Sequence, residues 1–522
     1  MRGLQADSEA TLTAERAGVA AWLKQLRASE SDPVGSLYQA MMARSLVRTP
    51  AGLQVEYSTG LHRRTGVYYT DDDLVRYMVG QARRYLPTAR SVVDPACGMG
   101  AFLGAAREGV TRLVGLDADP VAIEACRSRV PEADLHVLDA LLAPFPGGFD
   151  LCLGNPPYIS SGLRGVPQVD QARSAALRKR YLHTAQYKLN TYPMFVERGL
   201  DLIREGGVLG YILPDSFLSG RFFAGLRRLI LQHTLLELTL IRTDFWRHGN
   251  VGQSVVLFVR KGAAPPGHSV WIRSCQDLGE LLSDAGGERL PLGDVIWGSL
   301  QRFRVIPDGS TRHDVLAMER SCAPETIGHF VRPYSGLIAK HGQASLLRSA
   351  NPHLRGPWGR LLRSGGEIDR YQLRWAGEEV CLDPKLIKSG GHLPHYRGEK
   401  LLLRQTADSL RAVYDDCGYY CLNNIHLLVP RGSGLPMRAL LGIINSGVFN
   451  RYYRALTMES GRLYPQVDLD LLQDLPLPQL GLDTIQCLVQ LVMERETAAP
   501  ERATVVEQRI ERMVGKLYGL PR

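Results

Sequence analysis

Residues 91–158 read SVVDPACGMGAFLGAAREGVTRLVGLDADPVAIEACRSRVPEADLHVLDALLAPFPGGFDLCLGNPPY, and this stretch decides the fold. Short apolar strands (SVVD, RLVGLD, DLHVLD and FDLCLG) alternate in it with segments that are typical of helices, such as GAFLGAAREG and DPVAIEACRSRV. Strands that alternate with helices are typical of a parallel sheet with helices on its faces. The sequence therefore predicts an α/β fold with a doubly wound, mostly parallel sheet, which later strands such as GVLGYILP and SVVLFVRK continue.

Acidic residues follow three of these strands in turn. Asp94 opens a turn of small residues, DPACGMGAF, and Asp117 and Asp139 end the next two strands. A small-residue turn before a helix lets the backbone approach a ligand, and a carboxylate one strand further on commonly binds a ribose diol. Because ligands bind at the carboxyl edge of an open α/β sheet, we expect a nucleoside-like cofactor at this edge.

The strongest chemical signal is Gly154-Asn155-Pro156-Pro157-Tyr158, which follows the fourth strand. Asn155 offers a side-chain oxygen and Pro156 a backbone carbonyl, and consecutive prolines keep the backbone stiff. Two acceptors aimed at the N–H groups of a conjugated amine localise its lone pair, and Tyr158 offers a face on which a planar group can stack. The motif therefore predicts methyl transfer to such an amine, in which positioning and electrostatics do most of the catalysis.

The motifs TGVYYT (65–70), DPACGMGAF (94–102), GLDADP (115–120), LDA (138–140) and GNPPY together resemble the gamma class of adenine-N6 DNA methyltransferases, and TaqI-like enzymes in particular. The resemblance implies the fold of S-adenosylmethionine-dependent methyltransferases and that cofactor. The implied cofactor-binding residues are Tyr69, Thr70, Asp94, Ala96, Gly98, Gly100, Asp117, Asp139, Ala140 and Asn155. The implied catalytic residues, which hold the target adenine, are Asn155, Pro156 and Tyr158, and Pro157 lies beside them.

A second aromatic residue that stacks on the target base is also implied by this resemblance. Phe245 is the candidate for that role, with Trp246 as its rival. Two positions depart from the family pattern: Asp71 stands where proline commonly follows Thr70, and Met99 replaces a serine often found in the glycine turn. Neither change removes a group that the chemistry needs.

The C-terminal half resembles the target-recognition module of the same family, in the segments GEKLLLRQT (398–406), 440–454 and 461–478. We therefore expect an N-terminal helical segment over 1–60, a methyltransferase domain over 61–325, an α+β DNA target-recognition domain over 326–480 and a C-terminal helical segment over 481–522. Residues 10–45 show apolar positions at helical spacing, which is the basis for the first of these segments.

Positive charge is concentrated in the second half of the chain. The net charge is +9, and residues 331–454 contain 18 Lys and Arg against 9 Asp and Glu. Such an excess favours a polyanionic partner. Lys400 and Arg404 are therefore expected to contact DNA, and further phosphate-binding candidates are Lys385, Lys388 and Arg411.

Double-stranded DNA is the expected substrate. An adenine amine inside a duplex can reach a buried cofactor only after the base rotates out of the helix. Rival interpretations are a methyltransferase acting on a protein glutamine, an RNA methyltransferase, and a specificity subunit with an idle catalytic fold. No metal-ligand spacing and no nuclease-type carboxylate cluster is evident, so methylation without cleavage is expected.

The resemblance suggests a role in a restriction–modification or phage-defence system, with a separate endonuclease or other subunits as possible partners. We expect a monomer. The sequence has no apolar run long enough to span a bilayer and no signal-peptide core, which predicts a cytoplasmic protein without membrane association.

Overall fold

We analysed a computed structural model of the chain. The structure describes residues 44–49, 52–57, 70–159, 170–187, 189–243, 252–283, 286–306, 308–343, 346–350, 356–407, 409–432, 434–457 and 466–520. The chain divides into two compact units between Leu292 and Gly293, earlier than the boundary at 325/326 expected from the sequence. The helices expected before residue 44, together with Tyr69, Phe245 and Trp246, lie outside the described residues.

The described part of the N-terminal segment is a β-hairpin, whereas a helical segment was expected over 1–60. Strands β1 (Arg44–Thr49) and β2 (Gly52–Tyr57) pair antiparallel, from Arg44 opposite Tyr57 to Thr49 opposite Gly52. Strand β2 alternates apolar and polar residues, LQVEY, and Pro50 and Gly52 stand before this run in the sequence. That alternation has the period of a strand, which the helical expectation overlooked.

Among the described residues, nine strands form one sheet in the order β11-β10-β8-β9-β7-β6-β3-β4-β5. Strands β5, β4, β3, β6 and β7 run parallel to one another, and β9 runs antiparallel between β7 and β8. This arrangement confirms the predicted doubly wound, mostly parallel sheet. The strands are β3 (Ser91–Asp94), β4 (Arg112–Asp117), β5 (Asp134–Val137), β6 (Phe149–Gly154), β7 (Ile203–Pro214), β8 (Thr234–Ile241), β9 (Ser254–Arg260), β10 (Ser269–Cys275) and β11 (Glu288–Pro291).

Helices link and cover these strands. They are α1 (Asp72–Tyr85), α2 (Ala101–Ala106), α3 (Pro120–Arg129), α4 (Gln171–Arg180), α5 (Thr191–Leu202), α6 (Ser216–Ser219), α7 (Ala224–Leu231) and α8 (Leu278–Leu282). Asp71 precedes helix α1 as its N-cap, and its side chain accepts a hydrogen bond from the amide of Asp73 at 2.9 Å. The departure from the family pattern at position 71 therefore supplies an N-cap for this helix.

The second unit contains helices and several small sheets, as the sequence predicted for the C-terminal part. Its main core includes residues of the helix 309–321, the strand 400–404 and the four helices 437–445, 447–457, 482–497 and 500–517. A smaller core lies between the short strands. Val315 and Met318 of α10 belong to that main core, which explains why the compact unit begins before residue 326. The helices are α9 (Leu292–Val295, at the division), α10 (Gly309–Ser321), α11 (Ile327–Phe330), α12 (Pro394–Arg397), α13 (Met437–Asn445), α14 (Gly447–Thr457), α15 (Leu469–Asp474), α16 (Leu482–Thr497) and α17 (Pro500–Leu517).

The strands of the second unit are mostly short. They are β12 (Ile296–Trp297), β13 (Arg302–Phe303), β14 (Cys322–Thr326), β15 (Val331–Ser335), β16 (Ile338–Ala339), β17 (Leu347–Ser349), β18 (Trp358–Leu362), β19 (Ile368–Asp369), β20 (Gln372–Leu373), β21 (Glu378–Cys381), β22 (Ile387–Ser389), β23 (Lys400–Arg404), β24 (Ala412–Asp415), β25 (Tyr420–Cys421), β26 (Ile425–Pro430) and β27 (Pro476–Pro478). Its larger sheets have the strand orders β15-β26-β23-β24 and β17-β21-β18-β25.

All nine cysteines lie in the described part of the chain, and each is a free thiol. Cys417 is exposed, Cys322 and Cys487 are half-buried, and the other six are buried. Within the described residues, no helix combines the length and the apolar character that crossing a bilayer requires.

Candidate cofactor and target-base site

The strand order places the carboxyl ends of β3 and β6 side by side in the sheet. The chain runs from β3 to β4 on one side, and β6 then pairs with the other side of β3. Open α/β sheets bind ligands at the carboxyl edge where the strand order reverses in this way. Asp94 ends β3 and Asn155 follows β6, so the two main sequence signals meet at this reversal.

Asp94 is a buried carboxyl group at that edge. Only 2% of the residue is exposed, and its Oδ1 accepts a hydrogen bond from the amide of Ala96 at 3.0 Å. Burial raises the pKa of Asp94 to about 8, and the neighbouring carboxylate of Asp117 adds to the rise. A Cβ atom on Gly154 would lie 2.7 Å from Asp94 Oδ1, so the close approach of β3 and β6 requires glycine at the end of β6.

The turn after Asp94 depends on two glycines with positive φ, Gly98 at 51° and Gly100 at 81°. A Cβ atom on Gly100 would lie 2.5 Å from Cys126 Sγ, which explains the need for glycine there. A Cβ atom on Gly98 would meet no described atom within 4 Å, so the turn borders open space at this point. The turn thus leaves room for a ligand against the backbone.

Asp117 joins the same turn from the end of β4. Its Oδ2 accepts from the amide of Gly98 at 2.9 Å and its Oδ1 from the amide of Asp119 at 2.9 Å. Burial raises the pKa of Asp117. Each carboxylate oxygen can accept a second hydrogen bond, so the group fits a pair of ribose hydroxyls as well as the turn.

Asp139 follows β5 and caps the next turn, where its Oδ1 accepts from the amide of Leu141 at 3.1 Å. Its other oxygen forms an ion pair with Arg173 of α4. The adjacent Ala140 is buried, with 4% of its surface exposed. Sequence reasoning missed Arg173, because only the fold brings α4 beside this strand end.

The side chain of Asn155 has a defined orientation. Its Nδ2 donates to the hydroxyl of Thr70 at 3.1 Å, and its Oδ1 accepts from the hydroxyl of Tyr158 at 2.6 Å. The single hydroxyl proton of Tyr158 has a second acceptor within reach, the carbonyl oxygen of Ile212 at 2.9 Å. Thr70 is 5% exposed, so this part of the network is shielded from water. The network distinguishes the two ends of the amide, because a threonine oxygen accepts at one end and a phenol donates at the other.

The prolines and Tyr158 are held from the side of α5. The Thr191 hydroxyl donates to the carbonyl oxygen of Pro157 and accepts from the amide of Ile159 at 2.9 Å. Tyr192 meets the ring of Tyr158 edge-on, with centroids 6.0 Å apart and an interplanar angle of 84°. Pro156 is buried, and no described donor is paired with its carbonyl oxygen. Neither Thr191 nor Tyr192 belongs to a recognisable motif, so neither could be identified from the sequence alone.

These residues fit S-adenosylmethionine, which combines a ribose diol and an adenine with a positively charged sulfonium. The glycine turn borders open space, and Asp117 can accept further hydrogen bonds. Among the described cations, no lysine or arginine contributes to the environment of the buried Asp94 carboxyl group, so a cationic ligand would favour its ionised form. The chemistry of this donor set therefore matches the expected cofactor.

The sequence-predicted DNA contacts of the second unit differ in exposure. Lys385 and Lys388 are exposed, and Arg411 is half-buried beside Asp369 at 3.4 Å. Arg404 is half-buried and donates from Nε to the carbonyl oxygen of Thr406 at 2.8 Å. Exposed cations remain suitable for phosphate contacts.

Lys400 requires a correction. The side chain is 0% exposed and forms an ion pair with the equally buried carboxylate of Asp415. Its Nζ also donates to the carbonyl oxygens of Tyr396 at 2.6 Å and Gly398 at 3.3 Å. All of its hydrogen-bonding capacity is used inside the unit, so the predicted contact between Lys400 and DNA does not fit this arrangement.

The fold and this site define the class of S-adenosylmethionine-dependent methyltransferases. Residues 114–244 match the family model of the Eco57I restriction-modification methylase, and residues 361–477 match the TaqI-like C-terminal specificity domain. The type II methyltransferase M.TthHB8I of Thermus thermophilus is 29% identical over 441 residues, which cover 81% of this chain and 94% of the relative.

Two further proteins are similar over a shorter stretch or at a lower sequence identity. The type II methyltransferase M.PaeR7I of Pseudomonas aeruginosa is 35% identical over 106 residues, which cover 20% of this chain and 17% of the relative. The type IIL restriction-modification enzyme MmeI, solved in complex with DNA, shares the fold with a TM-score of 0.56 at 11% identity, over 89% of this chain and 78% of its own. The resemblance to TaqI-like enzymes is confirmed, and the chain is similar to a type II methyltransferase over most of its length.

Proposed function

We propose that this chain transfers a methyl group from S-adenosylmethionine to the N6 amine of an adenine in double-stranded DNA, after the base has rotated out of the helix. One observation carries the proposal: the amide of Asn155 is oriented by Thr70 and Tyr158 beside the crevice that Asp94 and Asp117 border. An oriented amide oxygen is what an amine with a delocalised lone pair needs in order to become nucleophilic.

The two acceptors act together on the target amine. Asn155 Oδ1 and the carbonyl oxygen of Pro156 each accept one N–H of the amine, which localises the nitrogen lone pair toward the methyl donor. A carbonyl oxygen has two lone pairs, so the hydrogen bond from Tyr158 is compatible with a second one from the target. S-adenosylmethionine supplies the electrophilic methyl group, and the chain contributes binding, orientation and exclusion of water.

Thr70 has a positioning role in this scheme. Its hydroxyl accepts from Asn155 Nδ2 and thereby keeps the amide oxygen, rather than the amide nitrogen, at the end that faces Tyr158. A flipped amide would present two donors to an amine that also donates, which would remove the activation. Thr70 thus acts through Asn155, in addition to its expected role as a cofactor-binding residue.

DNA is favoured over the rival substrates by the second unit. A TaqI-like specificity domain covers residues 361–477, and the relative MmeI was solved in complex with DNA. A base must leave the duplex to reach a crevice of this kind, at a cost of about a few kcal/mol. Tyr158, with Phe245 or Trp246 as a second aromatic residue, would offset part of that cost by stacking, which is worth roughly 1–3 kcal/mol per base.

The decisive experiment offers radiolabelled S-adenosylmethionine with duplex DNA, structured RNA and a glutamine-bearing protein in parallel. We expect label only in the DNA, and mapping of modified bases in DNA from cells that express the protein should find N6-methyladenine within one short sequence. Label in RNA or protein alone, or methylation at cytosine, would disprove the proposal. Three further predictions can be checked with the same preparation. The protein does not cleave DNA, it works with a separate endonuclease, and it is a monomer.

A further inference from the structure

Two segments of the first unit are basic and contain no acidic residue. Residues 171–187 carry Arg173, Arg178, Lys179 and Arg180, and residues 216–233 carry Arg221, Arg227 and Arg228. Neither segment contains an Asp or a Glu. The two segments touch, because a Cβ atom on Gly225 of α7 would overlap the carbonyl oxygen of His183. Arg227 is buried, but Lys179, Arg221 and Arg228 are exposed, so this part of the surface favours a polyanion.

Exposed aromatic side chains lie on the same surface. Tyr187 is 56% exposed and Phe222 is 52% exposed, and their rings meet edge-on with centroids 5.8 Å apart. The guanidinium of Arg221 lies over the Phe222 ring, 4.7 Å from its centroid. We call these three residues the aromatic platform. Large aromatic residues in water are unusual on a surface that serves no binding role, and the combination of rings with arginine is typical of nucleic-acid contacts.

The backbone beneath the aromatic platform is held in place. Arg178 donates to the carbonyl oxygens of Ala185, Gln186 and Tyr187 at 2.7, 3.2 and 2.8 Å. The buried Arg227 donates to the carbonyl oxygens of Phe217 and Gly220, both at 2.8 Å, just before the 3-10 turn Arg221–Phe223. A surface with a fixed backbone loses less conformational entropy when it binds a flat partner.

The residue that follows the platform in the sequence is connected by ring contacts to the proposed base-binding tyrosine. Phe223, next to Phe222, stacks on Tyr192 with centroids 5.4 Å apart and an interplanar angle of 27°. Tyr192 in turn meets Tyr158 edge-on. Phe223, adjacent to the platform in the sequence, therefore lies two ring contacts away from the residue that would hold the target base.

We propose that the aromatic platform binds DNA beside the target adenine. The rings of Tyr187 and Phe222 stack on bases or sugars that become accessible when the adenine rotates out, and Arg221 contacts a nearby phosphate. This inference rests on the proposed function and adds to it a DNA-contacting surface on the methyltransferase unit itself, separate from the specificity domain.

The test compares the wild-type protein with Tyr187→Ala, Phe222→Ala and the double variant. The probe is a fluorescein-labelled duplex that carries the sequence found by mapping the methylated DNA. We expect each single change to raise the Kd for this duplex roughly five- to tenfold, since stacking on aromatic residues contributes on this scale. The KM for DNA should rise with it, whereas the affinity for S-adenosylmethionine should stay unchanged.

Matched controls separate ring stacking from a loss of structure. Tyr187→Phe keeps the ring and should keep the wild-type Kd. Leu282→Ala removes another exposed apolar side chain of the same unit, 44% exposed, and should leave DNA binding unchanged. Arg221→Ala should lower the slope of log Kd against log salt by about 1, the value for one phosphate contact.

Three results would overturn the inference. If the wild type methylates the duplex and the platform variants bind it equally well, the platform is not a DNA surface, while the proposed function stands. If platform variants convert a wild-type dimer to a monomer in DNA-free sedimentation, the surface joins two copies of the chain. If the wild type does not methylate DNA at all, the proposed function itself fails.

Discussion

The strand ends of the first unit and the basic stretch of the second were both predicted as functional, yet they differ in how well the sequence located their side chains. Asp94, Asp117 and Asn155 converge at one edge, because parallel strands direct their carboxyl ends to the same side. In the basic stretch, Lys400 is fully buried while Lys385 is exposed. Topology constrains position strongly, whereas a count of charges does not say which cations face water.

The largest expected effect concerns the buried cation. Lys400→Met should lower the free energy of unfolding by about 3–5 kcal/mol, because it leaves the carboxylate of Asp415 buried without its partner. Chemical denaturation measures this change. The exposed Lys385→Met is the matched control and should change stability little.

The same two variants, Lys400→Met and Lys385→Met, can also be compared in DNA binding. Lys400→Met, assayed where it is still folded, should leave the salt dependence of DNA binding as in the wild type. A salt dependence weaker by one phosphate contact in that variant would show that Lys400 does reach DNA. The sequence would then have located the side chains of the basic stretch as well as those of the strand ends.

The second effect concerns catalysis at the strand ends. Asn155→Ala should lower kcat by roughly 10²- to 10³-fold, the usual cost of removing one group that stabilises a transition state. The Kd for S-adenosylmethionine, measured by calorimetry, should stay close to the wild-type value. Equal losses of catalysis and of cofactor binding would mean that the motif is structural.

The third effect is a pH dependence from Asp94. Its raised pKa of about 8 means that the carboxyl group is mostly protonated at neutral pH, and a cationic cofactor would favour the ionised form. Affinity for S-adenosylmethionine should therefore rise with pH up to about 8 and level off above it, by at most roughly tenfold per pH unit. Titration calorimetry from pH 6 to 9 measures this slope.

Asp94→Asn is the control for that slope, because it keeps the shape of the side chain and removes its titration. The variant should retain only the pH dependence of the ligand's own amine. An unchanged slope in the variant would assign the titration to another group. For the folded protein alone the sign is opposite: a raised carboxyl pKa gives stability that is present below the unfolded value and is lost as the pH rises through 8.

The smallest effect concerns Thr70. Thr70→Val removes the acceptor for Asn155 Nδ2 at nearly constant volume and should lower kcat about tenfold, comparable with the loss of one buried hydrogen bond. The KM for DNA should change little, and Thr70→Ser should restore kcat. Failure of serine to restore activity, or an equal rise in KM, would argue against a positioning role.

The sequence located what depends on strand order and missed what depends on how helices pack. The sheet, the glycine turn and Asn155 follow from local patterns whose placement the parallel topology fixes. Arg173 and the aromatic platform carry no motif, since their meaning comes from α4 and α7 lying beside the strand ends. The β1–β2 hairpin was missed because only β2 alternates apolar and polar residues, and both strands are short and follow a segment with helical spacing.

Lys400 shows a different limit of prediction from the sequence. Its position at the start of β23 looked like a cation reaching outward, but the partner that buries it, Asp415, lies on β24 and is brought opposite by antiparallel register. The pairing of two residues that are fifteen positions apart in the sequence cannot be predicted from the concentration of basic residues alone. The exposed cations of the same region keep their predicted role as candidates.

The exposed thiol of Cys417 has a practical consequence. Because six of the other cysteines are buried and two are half-buried, a maleimide dye should couple first at this position in the second unit. The carboxylate of Asp416, which accepts a hydrogen bond from the thiol, raises the pKa of Cys417, so coupling will need a mildly alkaline buffer. A single fluorophore placed there would report, without further mutagenesis, when the specificity domain engages a quencher-labelled duplex.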